Sequence, residues 1–290
     1  MKTEKIGSSK NKTAHCAPLN YKLRQVFQEV KTFSFYFNVF QFSNLKNKKR
    51  RIFNMKKQLK SGIILLILLA FVLSANMFAL EEGGYVGNDR RAIPVVWNFL
   101  RHFAWDQFFW AAPFMFTNWN NFFVDNMDFA YYCGHGAPWF IMTYWGGINL
   151  ATAGNTPHQG YGNTDLEYIA FHSCSVIPSP LETPNWWQPW VTEPTDIFDG
   201  LHQAIGFRTP AFVASSPQIS NFYGWCIRRN FNVALSWFWA INWFGMRWNG
   251  QLREKGCIVM WPPAVWDRYY GPKCPDPPPN HRWLMCLYQR

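Results

Sequence analysis

The 290-residue chain carries 28 Lys and Arg against 17 Asp and Glu, a formal net charge of +11, with seven Cys, 17 Trp and 27 Phe. A hydrophobic fraction of 49% and an aromatic fraction of 19% exclude a disordered acidic or low-complexity chain. The length admits one or two domains with a sizeable core. The excess of positive charge argues for nucleic acid or a membrane surface only if it lies on the working part of the protein.

It does not. Residues 1–60 hold 15 of the Lys and Arg and only two acids, Glu4 and Glu29, whereas 13 basic groups face 15 acidic ones from residue 61 onward. No nucleic-acid partner is therefore expected. The basic stretch Met55-Lys-Lys-Gln-Leu-Lys leads into eleven consecutive apolar residues, 63–73, with small residues at Ala75 and Ala79. A positive end, a short apolar segment and a small-residue exit predict a secretory signal peptide over residues 55–79. An uncleaved anchor wants about 20 apolar residues, and the run here is shorter. The membrane is expected to be met only through this segment. Residues 1–54 are read as an over-extended start or a disordered basic leader, and residues 80–290 as one exported domain that is slightly acidic, Lys-poor and Trp-rich.

Within that domain, residues 91–109 show apolar positions at helical spacing with Pro94 near the first turn, predicting an amphipathic helix. Phe129-Ala-Tyr-Tyr-Cys133 reads as a buried strand stopping at Gly134-His135-Gly136, and Leu166 to Phe171 as a second strand ending in His172-Ser173-Cys174. The Gly- and Asn-rich stretch 148–164 between them reads as a loop. Further along, 196–207 is read as a helix closed by Gly206, carrying His202 packed against a sheet. Residues 211–215 read as a third strand, 221–244 as one long helix, 257–261 as a fourth strand, and 272–280 as a Pro-rich extended segment. Helices alternating with short buried strands predict an α/β domain with a mostly parallel sheet. In such sheets, functional groups gather beyond the carboxyl ends of the strands.

That rule selects His135 and Cys174, each at a strand end among small residues. A cysteine nucleophile needs a base to take its proton, and an imidazole supplies one. Gly136 would let backbone approach a substrate and present an N–H to a developing oxyanion. An apolar strand ending in His-Gly, followed some forty residues later by one ending in Ser-Cys, resembles the caspase, legumain and gingipain group of cysteine peptidases. The stretch with Phe198-Asp-Gly-Leu-His202 and Gly206-Phe207 is similar to exported prokaryotic proteins of caspase-like fold. The resemblance spans roughly residues 85–270. It implies a three-layer caspase-like fold, a protein or peptide substrate, no cofactor, Cys174 as nucleophile, His135 as base and the Gly136 backbone in the oxyanion hole. One departure is Val176, where these peptidases usually carry glycine.

Two other functions compete. Trp186, Trp187 and Trp190 lie in a Pro-containing loop soon after Cys174, where aromatic faces would form a substrate-binding wall or, without catalysis, a Trp-rich binding module. Trp237, Trp239 and Trp243 are expected in the core. The mirrored pairs Cys133/His135 and His172/Cys174 on neighbouring strands also make a two-Cys, two-His set suited to zinc. Cys226, Cys257, Cys274 and Cys286 are left to form two disulfides, with three connectivities open. No Gly-x-Ser-x-Gly elbow, phosphate loop or paired-carboxylate site is present, and the sequence carries no signal for oligomeric state.

Overall fold

The computed structural model describes residues 80–152, 160–191, 197–278 and 283–290. The signal segment, the basic leader and parts of the 148–164 stretch lie outside these residues.

Seven strands form the central sheet in the order β12-β11-β8-β7-β3-β1-β2. They are β1 (Glu82–Val86), β2 (Asp106–Trp110), β3 (Phe129–Cys133), β7 (Tyr168–His172), β8 (Gln203–Phe207), β11 (Gly256–Met260) and β12 (Met285–Tyr288). The five from β2 to β8 are mutually parallel, while β11 runs antiparallel to β8 and β12 antiparallel to β11. The protein is thus a mixed α/β domain with a mostly parallel core.

Strand alternation divides the core in two. Phe129, Tyr131, Tyr168, Ile205 and Ile258 face α1 (Ile93–Leu100), α4 (Ser216–Arg228) and α5 (Val233–Phe244). Tyr132, Ile169, Phe171 and Val259 face the other way, onto an irregular layer holding α2 (Pro113–Phe116) and α3 (Gln188–Val191). Against that layer pack Ile141 and Ile148 of a small antiparallel sheet, β4 (His135–Ala137), β5 (Phe140–Thr143) and β6 (Gly146–Asn149). Both faces of the large sheet are covered, so β3 and, up to Phe171, β7 are apolar rather than alternating with polar residues. Gly84 in β1 lets α1 come close, since a Cβ there would sit 2.5 Å from Val96 and Leu100 side-chain carbons. A two-residue hairpin, β9 (Arg247–Trp248) with β10 (Gln251–Leu252), projects after α5. No helix among the described residues is long and apolar enough to cross a membrane.

Several local expectations are corrected. The helix expected over 91–109 ends at Leu100, and 106–110 is the edge strand β2. Residues 203–207 form a buried strand, not the end of a helix, because short apolar runs satisfy either period and sheet pairing decides. The expected third strand at 211–215 is instead a turn leading into α4. The long helix expected over 221–244 is two: Asn230 adopts a left-handed φ of 60°, and Asn232 caps the second by accepting from the Leu235 N–H at 2.8 Å.

Trp237 is buried and donates to the Gly206 carbonyl, but Trp239 and Trp243 lie around the far side of α5 and are exposed, Trp243 by 75%. His202 sits at the entry to β8, with Nδ1 2.6 Å from Asp267 Oδ2. Burial there opposes charge on the imidazole, but Asp267, Asp276 and Cys274 together push its pKa up to about 11. Of the four cysteines expected to form disulfides, Cys257 and Cys286 come together, with sulfurs 3.3 Å apart on β11 and β12. Cys226 is buried on α4, and Cys274 lies beside His202.

Candidate active site

The ends of β1, β3 and β7 build one cleft. The chain leaves β3 at Cys133, turns at Gly134 and enters β4 at His135. Tyr132 Oη donates to the Met142 carbonyl at 2.7 Å, holding the β4–β5 hairpin against the end of β3. Ser173 Oγ, just past β7, donates to the Gly134 carbonyl at 2.8 Å, and the Gly87 N–H donates to the Cys133 carbonyl at 2.8 Å. Three consecutive strand ends are therefore stitched together through backbone acceptors.

Cys174 follows at once. Its sulfur accepts the Ala211 N–H at 3.4 Å and lies 3.6 Å from the Ala211 carbonyl oxygen. The segment carrying Ala211 is anchored by the buried Glu254 carboxylate, which accepts from the Phe212 N–H (2.6 Å), Ser215 Oγ (2.7 Å) and the Met246 N–H (2.6 Å). Ser175, the next residue, has a left-handed φ of 53°, a conformation a non-glycine residue adopts only when its surroundings enforce it. Here the Ser175 N–H is tied to the Thr209 carbonyl and the Ile177 N–H to that of Phe207.

The cleft has a volume of about 130 Å³, and its lining includes Asp89, Arg91, His135, Cys174 and Ala211. Exposed His135 points Nε2 toward Asp89, 3.6 Å from Oδ2. The Arg91 guanidinium holds Asp89 through Nε and Nη2, and these bonds keep the carboxyl below its usual range. Asp89 is thus an ionised group beside the imidazole.

Cys133 and His172 form the floor of the cleft. Burial, with Asp89 and Cys174 adding to it, pushes the Cys133 thiol well up, so Cys133 is a neutral apolar group. His172 is fully enclosed, shares a 2.6 Å hydrogen bond with Tyr131 Oη at Nδ1, and is driven down to about 3 by burial. It is a neutral imidazole whose Nε2 has no hydrogen-bond partner.

His135 and Cys174 thus line the same cleft, whose lining includes Gly134 but not Gly136. Gly136 matters sterically: a Cβ there would stand 2.3 Å from Ser173 Oγ and 2.5 Å from Val176 Cγ2, so the absence of a side chain lets the His and Cys segments pack together. The expected aromatic wall is elsewhere. Trp186 and Trp190 are 1% and 0% exposed in the layer beneath the opposite face, and Trp187 packs against the same cluster. The quartet Cys133, His135, His172 and Cys174 does not close into a chelating group. His135 departs into the small sheet and His172 turns toward the helices. Among the described residues, only His202, Asp267 and Cys274 bring three metal-type donor atoms within 4.8 Å of one another.

Residues 76–250 match the model of DUF6345, a domain of unknown function, and the match covers more than half of the chain. The chain belongs to the DUF6345 family. Asp89, His135 and Cys174 all lie within the matched residues. No curated protein matches the chain.

Asp89, Arg91 and Glu254 escaped the sequence reading. The strand-end rule would have found Asp89, three residues beyond β1, but Glu82-Gly83-Gly84 has the composition of a turn and hid the strand.

Proposed function

We propose that this member of the DUF6345 family is an exported, caspase-like cysteine peptidase. The reading is supported above all by the convergence of Cys174, His135 and ionised Asp89 in one cleft at the carboxyl ends of parallel strands. The three-layer arrangement and the neighbouring placement of the His and Cys strands are consistent with it.

In this mechanism, His135 takes the Cys174 proton as sulfur attacks the scissile carbonyl, forming the carbon–sulfur bond. Asp89 orients the ring and offsets its positive charge. The tetrahedral intermediate collapses as His135 returns the proton to the leaving amine. Water, deprotonated by the same imidazole, then hydrolyses the thioester and restores the thiol. The tight contact of Gly136 with Ser173 and Val176 would serve to hold the base and nucleophile segments in register.

The test is labelling with an electrophilic, thiol-directed peptide probe. Wild type is expected to be labelled and Cys174→Ala not. Equal labelling of both removes the nucleophile and leaves a binding module on the same fold.

A further inference from the structure

The opposite end of the sheet holds a second cluster that the peptidase reading does not use. His202 enters β8 there, Asp267 follows the 3-10 turn Pro262–Trp266, and Cys274 lies in the Pro-rich segment beyond. Cys274 Sγ stands 3.6 Å from His202 Nδ1 and 3.7 Å from Asp267 Oδ2. We propose that His202 Nδ1, Asp267 Oδ2 and Cys274 Sγ bind one Zn²⁺ ion, with water completing a tetrahedron.

The distances suit that ion. Zinc bonds of about 2.0 Å to nitrogen or oxygen and 2.3 Å to sulfur give tetrahedral edges of about 3.5 Å. Both sulfur edges already have this length. The Nδ1–Oδ2 edge, at 2.6 Å, is a hydrogen bond through a shared proton and opens by less than about 1 Å when the ion replaces it. Binding releases that proton and the Cys274 thiol proton to solvent, with no change in oxidation state.

The surroundings have the form of an outer coordination shell. The second oxygen of Asp267 accepts the Cys274 N–H at 2.9 Å, and Oδ2 also accepts from Tyr168 Oη at 3.2 Å, which fixes the carboxylate plane. Asp276 Oδ1 lies 3.4 Å from His202 Nε2, the position from which a carboxylate directs the lone pair of the other ring nitrogen onto a metal. His202 and Asp267 are buried, while Cys274 is half-buried and gives access to the fourth position. The ligand charges match the ion too: the Asp267 carboxylate and the Cys274 thiolate carry two negative charges against its two positive ones, and the nearby Lys273 ammonium is already paired with Glu167.

A His202–Asp267 ion pair alone explains the 2.6 Å contact but not a cysteine set over both of its atoms. Disulfide pairing gives Cys274 no role, since among the described residues the sulfurs that meet are those of Cys257 and Cys286. The ion would tie the Pro-rich segment to the base of β7 and β8. Asp267 and Cys274 both lie beyond the residues matched to the family.

The purified full-length chain, stripped with a chelator, is to be titrated with Zn²⁺ and Co²⁺. We expect about one zinc per chain by mass spectrometry, and a thiolate-to-cobalt charge-transfer band that disappears in Cys274→Ser and persists in Cys174→Ser. Asp276→Asn, at a surface carboxylate and safe for folding, is expected to weaken zinc at least tenfold. Zinc below about 0.1 per chain in the wild type, or a cobalt band that survives Cys274→Ser, overturns the proposal. Neither result bears on Cys174 labelling, so the two readings fail independently.

Discussion

Cys133 and His172 are direct partners in the parallel ladder between β3 and β7. Each lies two residues ahead of a proposed site residue, His135 and Cys174, so this one pairing delivers both to the same end of the sheet. A slip of one residue in the register would exchange the faces of β7 and break the arrangement.

On the proposed mechanism, the His135–Cys174 pair predicts a graded loss of peptidase activity. Cys174→Ala abolishes turnover, and His135→Asn lowers kcat/KM by about 10²–10⁴, the contribution of a general base. Asp89→Asn gives a smaller loss, because Asp89 acts through the imidazole. Steady-state kinetics on a peptide substrate measures all three.

Gly136→Ala should damage stability and the site together. The new methyl meets Ser173 Oγ and Val176 Cγ2 well inside van der Waals contact, and overpacking of this kind costs about 1–3 kcal/mol. Chemical denaturation is expected to show that loss, with reduced probe labelling of Cys174 in the fraction that remains folded.

Buried Trp186 and Trp190 are expected to serve stability and not recognition. Trp190→Ala removes a fully buried indole and is expected to cost about 3–5 kcal/mol. Trp187→Ala, at a partly exposed site, costs less and leaves KM unchanged. A raised KM for Trp187→Ala would restore the aromatic wall.

Glu82 makes the fold less stable as pH rises from weakly acidic to about 8. Burial in β1, opposed by Tyr269 and reinforced by Asp128 and Asp106, raises its carboxyl from 4.5 to about 8. Between these values the folded chain keeps a proton that the unfolded chain has lost, so this group's contribution to stability falls as pH rises from about 4.5 to about 8. Glu82→Gln removes that dependence. Urea midpoints for both proteins at pH 5 and pH 8.5 should show a smaller drop in the variant.

Under oxidising conditions Cys257 and Cys286 are expected to join, stabilising the fold by about 2–4 kcal/mol. Their sulfurs are 3.3 Å apart on paired antiparallel strands. Peptide mapping without reductant should recover these two cysteines linked, and Cys174 and Cys274 unlinked.

Much of this was legible from the chain. The apolar runs at 129–133 and 168–171 mark strands covered on both sides, and the Gly-His-Gly and Ser-Cys sequences beside them mark the proposed site. The segments that misled were short or ambiguous: 203–207 satisfies a helical and an extended pattern equally, and 82–86 has the glycines of a turn. Their conformation is set by hydrogen bonds to β7, β3 and β2, partners far away in sequence.

By itself the amino-acid sequence determined the α/β class and the two strand-end residues, because periodicity and the position of glycine are local properties. Only the tertiary structure decided that Asp89 stands beside His135, that Trp186 and Trp190 are core, and that Cys274 sits over His202 and Asp267. Each depends on which strands become neighbours and which face of the sheet a segment covers. Burial and long-range pairing settle those matters, and no local pattern encodes them.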